Sequence, residues 1–275
     1  MCAKFVGVAG LPRSGSTLLC QLLGEHPDIY CEGVSSPLCN TVLAVRRIIS
    51  DDQFFLSQLD PQFETTYGHL KSAMQGFLNG WYDGSGKQVV VDKNRAWLHC
   101  IEFLLHLQPD ARILVPIREL GQIYGSIEAQ HQKTILIDFI DHLADYDRFG
   151  RADQLFAKDK SVGAPLTSIH AVHDLPQAVK ERLFFVRFED MVARPAETME
   201  KIFEWIGVSA RPVDMEKLMV RAHESDSHYR FKYLHRQQPR ISPPALHDIP
   251  PRIQNQIETV CAWYYQWFYP DHKKG

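Results

Sequence analysis

The residues between Gly10 and Thr17 form the segment with the clearest capacity for chemistry. They read Gly-Leu-Pro-Arg-Ser-Gly-Ser-Thr, follow the short apolar run Lys4 to Ala9, and precede an apolar helical stretch. A G-x-x-x-x-G frame between a strand and a helix is typical of a phosphate-binding loop, which directs backbone N–H groups and a helix N-terminus at an anion. The segment therefore predicts a site for a phosphate or sulfate group.

The composition of this loop separates it from the loops of nucleoside-triphosphate enzymes. In those enzymes a lysine follows the second glycine and neutralises the β- and γ-phosphates, while a Ser/Thr and an aspartate hold magnesium. Here Ser16 follows Gly15, and the cation of the loop is Arg13. These residues favour an anion with less charge than a triphosphate, handled without a metal ion. A P-loop kinase that uses ATP and magnesium, and a nonenzymatic nucleotide-binding protein, remain as alternatives.

The segment Pro-Arg-Ser-Gly-Ser-Thr-Leu-Leu resembles the 5′-phosphosulfate loop of sulfotransferases that use 3′-phosphoadenosine 5′-phosphosulfate (PAPS). The similarity is to the branch that contains the protein-tyrosine and carbohydrate sulfotransferases. It implies that PAPS is the cofactor and adenosine 3′,5′-bisphosphate (PAP) the product. The loop residues that it assigns to cofactor binding are Pro12, Arg13, Ser14, Gly15, Ser16, Thr17 and Leu18.

The segment from Ile113 to Ser126 is similar to the element of this family that contacts the 3′-phosphate. The resemblance implies that Arg118, at the end of a strand, and Ser126, on the following helix, bind this phosphate. Arginine supplies a charged fork and serine a hydroxyl group, and both suit a phosphate. The family often has a basic residue four positions beyond this serine, where this chain has Gln130. We therefore expect another part of the chain to complete this contact.

Two more segments are similar to the family. Phe184 to Gly207 resembles a strand–helix stretch in which Phe188 replaces a frequent tyrosine, and this implies an aromatic face near the adenine. Val91 to Leu98 resembles a segment whose lysine lies by the oxygen that bridges phosphate and sulfate, and Lys93 is the matching residue. The order of these segments along the chain makes the resemblance more specific than any one motif.

A basic stretch lies near the C-terminal end. Ser225 and Arg240 resemble a serine and a basic residue that relatives use on the phosphosulfate and 3′-phosphate sides. The residues between them include several histidines, arginines and a lysine. We therefore predict that Ser225 and Arg240 bind the cofactor and that residues 221–252 form a segment that covers it.

The transfer also needs a general base to take the proton of the acceptor. His26 to Glu32 resembles a stretch of the protein-tyrosine relatives, whose catalytic glutamate falls one or two positions later, at Gly33 and Val34. We take Glu32 as the base. His99, on the helix that follows Lys93, is the alternative candidate for the base.

The resemblance implies a sulfotransferase that moves a sulfuryl group by in-line displacement to a hydroxyl or amine. Negative charge builds on the leaving phosphate oxygen, so positioning and charge stabilisation supply most of the catalysis, as in phosphoryl transfer. Arg13 and Lys93 are the natural stabilisers. Together with Glu32 they form the predicted catalytic set, and no metal ligand is predicted.

The elements that must position these residues alternate between strands and helices. Apolar runs predict strands at Lys4–Ala9, Gln88–Val91, Arg112–Ile117 and Leu183–Phe188, and amphipathic stretches predict helices at Thr17–Leu23, Ala96–Leu107, Ala196–Ile206 and about Ile253–Phe268. This alternation indicates βαβ units. We predict one α/β domain over residues 1–275, with a parallel β-sheet flanked by helices in the P-loop nucleotide-kinase arrangement. Residues 34–84 are predicted to form a helical, substrate-facing insertion.

Composition excludes several classes of protein. With 45% hydrophobic residues and a net charge of −3, the chain is neither disordered nor a protein that coats nucleic acid or an anionic membrane. The cysteines are widely spaced, which favours reduced thiols in a cytoplasmic protein. No secretion signal or apolar run of about 18 residues is evident. We expect a small-molecule, glycan or peptide acceptor and a monomer or homodimer.

Overall fold

The computed structural model describes residues 3–138, 142–220, 224–225, 234–235 and 237–271. Its centre is a five-stranded sheet with the order β2-β3-β1-β4-β5, in which every strand pair is parallel. The strands are β1 (Lys4–Val8), β2 (Ile29–Tyr30), β3 (Val89–Lys93), β4 (Arg112–Ile117) and β5 (Leu183–Arg187). The predicted α/β class and parallel sheet are confirmed.

Helices connect the strands and cover both faces of the sheet. They are α1 (Ser16–Leu23), α2 (Leu38–Ser50), α3 (Gln53–Trp81), α4 (Ala96–His99), α5 (Ile101–Leu107), α6 (Leu120–Lys133), α7 (Arg148–Phe156), α8 (Gly163–Ala171), α9 (Gln177–Lys180), α10 (Phe188–Ala193), α11 (Pro195–Ile206), α12 (Pro251–Val260) and α13 (Ala262–Phe268). Two 3₁₀ turns (Leu143–Asp145 and Val172–Asp174) and an antiparallel pair, β6 (Glu224–Ser225) and β7 (Leu234–His235), complete the described elements.

The alternation of side chains along each strand divides the core in two. Phe5 and Val90 face a large apolar cluster with α2 to α6, α8, α12 and α13, whereas Val6 and Val91 face a smaller cluster with α1 and α11. Parallel sheets are buried on both faces, which explains why their strands read as continuous apolar runs. α11 ends at Gly207, whose positive φ of 86° lets its N–H reach the carbonyls of Phe203 and Glu204.

Three predicted boundaries are wrong. The stretch Ala96–Leu107 is two helices, because Cys100 (φ −113°, ψ 33°) turns the chain between α4 and α5. The last helix divides in the same way at Cys261 (φ −109°, ψ 32°). Phe188 is not in a strand but begins α10. Hydrophobic periodicity detects apolar segments, but it does not detect a one-residue change of direction.

The segment 34–84 is helical, as expected, and consists mainly of α2 and α3. Asp52 caps the N-terminus of α3, because its side chain accepts a hydrogen bond from Phe55 N at 2.7 Å, and α3 bends at Gln62 after Pro61. Its substrate-facing role stays a prediction. Within the part of the chain that the structure describes, no helix has the length and apolar character needed to cross a bilayer.

Candidate functional site

The loop between β1 and α1 lies across the C-terminal end of β4. Leu11 N donates to Pro116 O at 3.2 Å, and the buried Ser14 Oγ donates to Leu11 O at 2.6 Å. Gly10 is required for this close approach, because a Cβ there would lie 2.2 Å from Pro116 O. The loop is therefore held by backbone contacts, and its N–H groups keep a fixed direction.

Two residues of the loop have left-handed backbone angles, Arg13 (φ 57°) and Gly15 (φ 86°). Such angles in a turn before a helix create a concave group of N–H donors that suits an anion. Gly15 precedes α1, and Ser16, Thr17 and Leu18 form the first turn of that helix, half-buried, after the buried Pro12. A non-glycine residue in the left-handed region is strained, which often marks a functional site.

We expect Gly15→Ala to lower the free energy of unfolding by about 1–2 kcal/mol, because an L-residue pays that cost for left-handed angles. The added Cβ would also lie 2.4 Å from Phe188 Cδ2. Gly76→Ala is the matched control: it lies within α3 with no heavy atom within 4 Å of the Cβ position, and it should stabilise by about 0.5–1 kcal/mol. Urea unfolding measures both. Equal midpoints for Gly15→Ala and the unsubstituted protein would contradict the loop geometry.

On one side of the loop, the predicted 3′-phosphate residues lie together. Arg13 Nε donates to Ser126 Oγ at 3.1 Å, and the Arg118 guanidinium donates to Arg13 O at 3.1 Å. The guanidinium carbon of Arg118 lies 4.6 Å from the centre of the Phe188 ring, a cation–π contact. Four residues that are up to 175 positions apart in the sequence thus form one group, which we call the arginine cluster.

Burial sets the electrostatics of the arginine cluster. Arg118 is 7% exposed, and its pKa is lowered first by burial and then by the nearby charge of Arg13, while the carboxylates of Glu189 and Glu119 act in the opposite direction. A guanidinium with a lowered pKa is still charged at neutral pH. A buried positive group of this kind has a low-dielectric environment in which an incoming anion is bound strongly.

On the other side of the loop lies Lys93, at the end of β3. Lys93 is 9% exposed, and its ammonium group donates to Thr17 Oγ1 at 3.3 Å and to Gly33 O at 3.1 Å. The neighbouring positions of β1 and β3 in the sheet bring Lys93 to the first turn of α1. The lysine therefore connects the phosphate loop to the segment that carries Glu32.

Glu32 follows β2, the edge strand, and its side chain is exposed. One carboxylate oxygen accepts a hydrogen bond from the Tyr30 hydroxyl, which raises the pKa of Tyr30 to about 12. The next residue, Gly33, is the residue whose carbonyl accepts from Lys93. The structure thus places Glu32 beside the lysine side of the loop, with its carboxylate open to solvent.

His99, the rival base, lies elsewhere. It is exposed at the end of α4 and lines a cleft of about 1070 Å³. The walls of this cleft come from α2, α3, α5 and α8, and its apolar lining includes Leu43, Phe55 and Met74. The predicted insertion 34–84 therefore forms one side of a large cavity that contains none of the loop residues.

The structure describes the two downstream candidates, Ser225 and Arg240, to different extents. Ser225 lies in β6 and pairs with Leu234, but its side chain is outside the described residues. Arg240 is exposed and follows Pro239, whose carbonyl accepts from Leu218 N at 2.7 Å. The residues just before it lie on α1, where Gln21 Nε2 donates to Gln238 O at 2.8 Å. Both residues stay predictions as cofactor ligands.

Sequence reasoning missed the tyrosines that support the arginine cluster. Tyr264 Oη donates to Arg118 O at 2.9 Å, and Tyr265 Oη donates to Glu119 Oε1 at 2.6 Å. Tyr269 Oη donates to Glu189 Oε2 at 2.9 Å. Burial is the main cause of the raised pKa of all three phenols. The aromatic residues of the last helix predict core packing but not these hydrogen bonds. The one sequence signal for the bonds is general: a buried tyrosine hydroxyl usually has a hydrogen-bond partner.

A buried carboxylate near the site has a structural role. Asp92, next to Lys93, accepts from Trp97 Nε1 and Tyr82 Oη, both at 2.6 Å. Burial raises its pKa, and these hydrogen bonds oppose the rise. Its side chain faces the large apolar cluster, on the face opposite Lys93. Asp92 therefore connects β3 to Trp97 of α4 and to Tyr82, the residue after α3.

The donor set fits a nucleotide with anionic groups at two ends. The loop supplies N–H groups, the N-terminus of α1 and Arg13. On one side of it lie the buried guanidinium of Arg118 and the hydroxyl of Ser126, and on the other side lies the buried ammonium group of Lys93. Because these cations come from β1, β3 and β4 at their C-terminal ends, they line the edge where ligands of parallel α/β folds bind.

Comparison with known proteins agrees with this geometry. A family described as the sulfotransferase family matches residues 6–212. Protein-tyrosine sulfotransferase 2 of Gallus gallus is 24% identical over 204 residues, covering 74% of this chain and 50% of that protein. Protein-tyrosine sulfotransferase 1 of Mus musculus is 32% identical over 114 residues, covering 41% of this chain and 30% of that protein. The chain thus spans at most half the length of these curated relatives.

Among solved structures, the sulfotransferase of Alicyclobacillus acidocaldarius has the same fold. The two superpose with a TM-score of 0.51 over 78% of this chain and 84% of that chain, at 15% identity. At this identity the likeness shows the fold alone.

Proposed function

The chain belongs to the sulfotransferase family, and from that membership we propose that it transfers a sulfuryl group from PAPS to a hydroxyl or amine of an acceptor. The observation that carries the proposal is the pair of cationic positions on the two sides of one anion-binding loop, the arginine cluster and Lys93. PAPS has a phosphate at each end of its ribose, so it needs both. When bound, it supplies the activated sulfuryl group, and PAP remains.

Each side chain then has one task. Arg118 and Ser126 hold the 3′-phosphate, and the loop N–H groups with Arg13 hold the 5′ end. Lys93 stabilises the negative charge that builds at the leaving phosphate oxygen, and Glu32 takes the proton of the acceptor. The Phe188 ring holds the guanidinium of Arg118 in place, and its predicted contact with adenine is part of the proposal.

The proposal extends to the setting of the enzyme. The wide spacing of the cysteines along the chain, with no C-x-x-C pair, favours reduced thiols and supports a reducing, cytoplasmic location. The acceptor is a small molecule, a glycan or a peptide. The lining of the large cleft beside α2 and α3 includes no loop residue, so its composition does not indicate which of these acceptor classes binds.

Titration calorimetry with PAP tests the nucleotide specificity. We expect one equivalent of PAP to bind in the presence of a chelator, with an affinity at least tenfold above that of 5′-AMP, since a charge-assisted contact to the 3′-phosphate contributes about 1.5–3 kcal/mol. Magnesium-dependent turnover of ATP, with no preference for PAP, would favour the kinase alternative.

Arg118→Ala should weaken PAP binding about 10- to 100-fold and change the affinity for 5′-AMP much less, because the 3′-phosphate is the one group of the nucleotide that the proposal assigns to this guanidinium. Arg187→Ala is the control, since Arg187 lies on the adjacent strand and its guanidinium stacks on Tyr269, 4.6 Å from the ring centre. The same calorimetry measures both variants. An unchanged PAP affinity in Arg118→Ala would show that the 3′-phosphate binds elsewhere.

A further inference from the structure

The chain that follows the described antiparallel pair returns to α6, next to the arginine cluster. Gln122 holds the backbone of His247 on both sides: its Nε2 donates to His247 O at 3.0 Å, and its Oε1 accepts from His247 N at 2.9 Å. Gly125 allows the segment to pack closely against α6, because a Cβ there would lie 2.4 Å from His247 Cβ and 2.5 Å from Ile249 Cδ1. His247 is therefore fixed over the residue that precedes Ser126.

The imidazole of His247 is half-buried in a positive environment. Burial lowers its pKa, and the positive charges of nearby side chains lower it further. The charged groups around it are Arg13 of the loop, Arg118 after β4, Glu128 and Lys133 of α6, Arg148 of α7 and the adjacent Asp248. The carboxylate of Glu128 is already bound by the Arg151 guanidinium, at 2.6 and 2.8 Å. The imidazole of the free protein is therefore harder to protonate than an ordinary histidine, and it lies within the field of two arginines.

We propose that His247 is a binding residue for the 3′-phosphate of PAPS and completes the contact begun by Arg118 and Ser126. This inference rests on the proposed function. It explains how the 3′-phosphate can be bound although this chain has Gln130 on α6, where the family often has a basic residue. A donor from the C-terminal segment takes that place, because Gln122 and Gly125 hold the segment against the same helix.

The proposal has a definite pH dependence. A bound phosphate dianion favours the imidazolium form, so the pKa of His247 is higher in the complex than in the free protein. PAP binding then takes up a proton in the window between the two pKa values, and affinity rises as the pH falls through that window. The phosphate itself is protonated with a pKa of about 6, and its protonation weakens binding at lower pH. A variant without the imidazole is therefore the necessary comparison.

Calorimetry with PAP and 5′-AMP, between about pH 6.5 and pH 8, tests the proposal with His247→Gln and His247→Lys. We expect His247→Gln to weaken PAP binding about tenfold at pH 6.5 and to change 5′-AMP binding less than about twofold. Titrations in buffers of different ionisation enthalpy should show that the unsubstituted protein takes up more protons on PAP binding than His247→Gln does, because the protons released by the phosphate are the same in both. His247→Lys should restore the affinity and remove its pH dependence.

Leu246→Ala is the control on the same segment, since Leu246 is 82% exposed, and it should change neither affinity. An equal loss for PAP and 5′-AMP in His247→Gln would overturn the proposal, because it would show a general role of the segment. Unchanged PAP affinity with retained proton uptake would also overturn it. A wild-type protein that does not prefer PAP over 5′-AMP would instead contradict the proposed function, so the two failures are distinguishable.

Discussion

Lys93→Ala is expected to lower kcat by a factor of about 10²–10³, the size observed when one charge-stabilising donor is removed from an active site. The ammonium group is held at the first turn of α1 by Thr17 Oγ1 and Gly33 O, and it lies in a buried environment in which charge interactions are strong. In the proposed mechanism this ammonium group acts on charge that develops only during transfer. The affinity for PAP should therefore fall much less than kcat.

Single-turnover kinetics with PAPS, together with calorimetric binding of PAP, separates the two effects. Lys93→Met serves as a second variant, because it keeps most of the side-chain volume in this buried position. Lys87→Ala is the surface control: this lysine is exposed and donates to Pro27 O, so kcat should be unchanged. If kcat stayed near normal in both Lys93 variants, charge stabilisation would have to come from Arg13 and the loop alone.

Glu32→Gln is expected to lower kcat by about 10²–10⁴, the contribution of a positioned general base, while PAP binds as before. The substitution keeps the shape of the side chain and the acceptor atom for the Tyr30 hydroxyl, but removes the ability to take a proton. The exposed position of Glu32 after β2 leaves its second carboxylate oxygen accessible to an acceptor. Steady-state rates with a saturating acceptor measure the effect.

His99→Gln decides between the two candidate bases. Because His99 lies on the cleft and not beside the loop, its replacement should leave kcat within about twofold of normal, unlike removal of a general base. Glu64→Gln, on the exposed side of α3, controls for loss of a surface charge. Normal turnover by Glu32→Gln with a large loss in His99→Gln would reverse the assignment.

Much of the fold and of the loop could be predicted because their signals are local. The strand, the two glycines and the helix between Lys4 and Leu23 occupy one continuous segment. Arg118 directly follows β4, and Ser126 lies in the next element, α6, so their spacing alone brings them together. Short-range order of this kind follows from periodicity and turn chemistry.

Other features depend on which strands become neighbours. Lys93 meets Thr17 only because β3 pairs with β1, and a sequence predicts the presence of strands more readily than their order. For the same reason the sequence does not predict the hydrogen bond from Tyr264 to Arg118 O, since the two residues are 146 positions apart. His247 was likewise assigned to a covering segment, because nothing near it in the sequence indicates that Gln122 binds its backbone.

Transfer of label from PAPS, labelled in its sulfuryl group, tests the central claim most directly. The purified protein is incubated with phenols, sugars, peptides and alcohols in the presence of a chelator, with Lys93→Met as the matched inactive variant. The account predicts that label enters at least one acceptor, that PAP forms in equal amount, and that both signals are strongly reduced in Lys93→Met. Tight PAP binding with no label in any acceptor would contradict the account and favour a protein that binds the nucleotide without transferring its sulfuryl group.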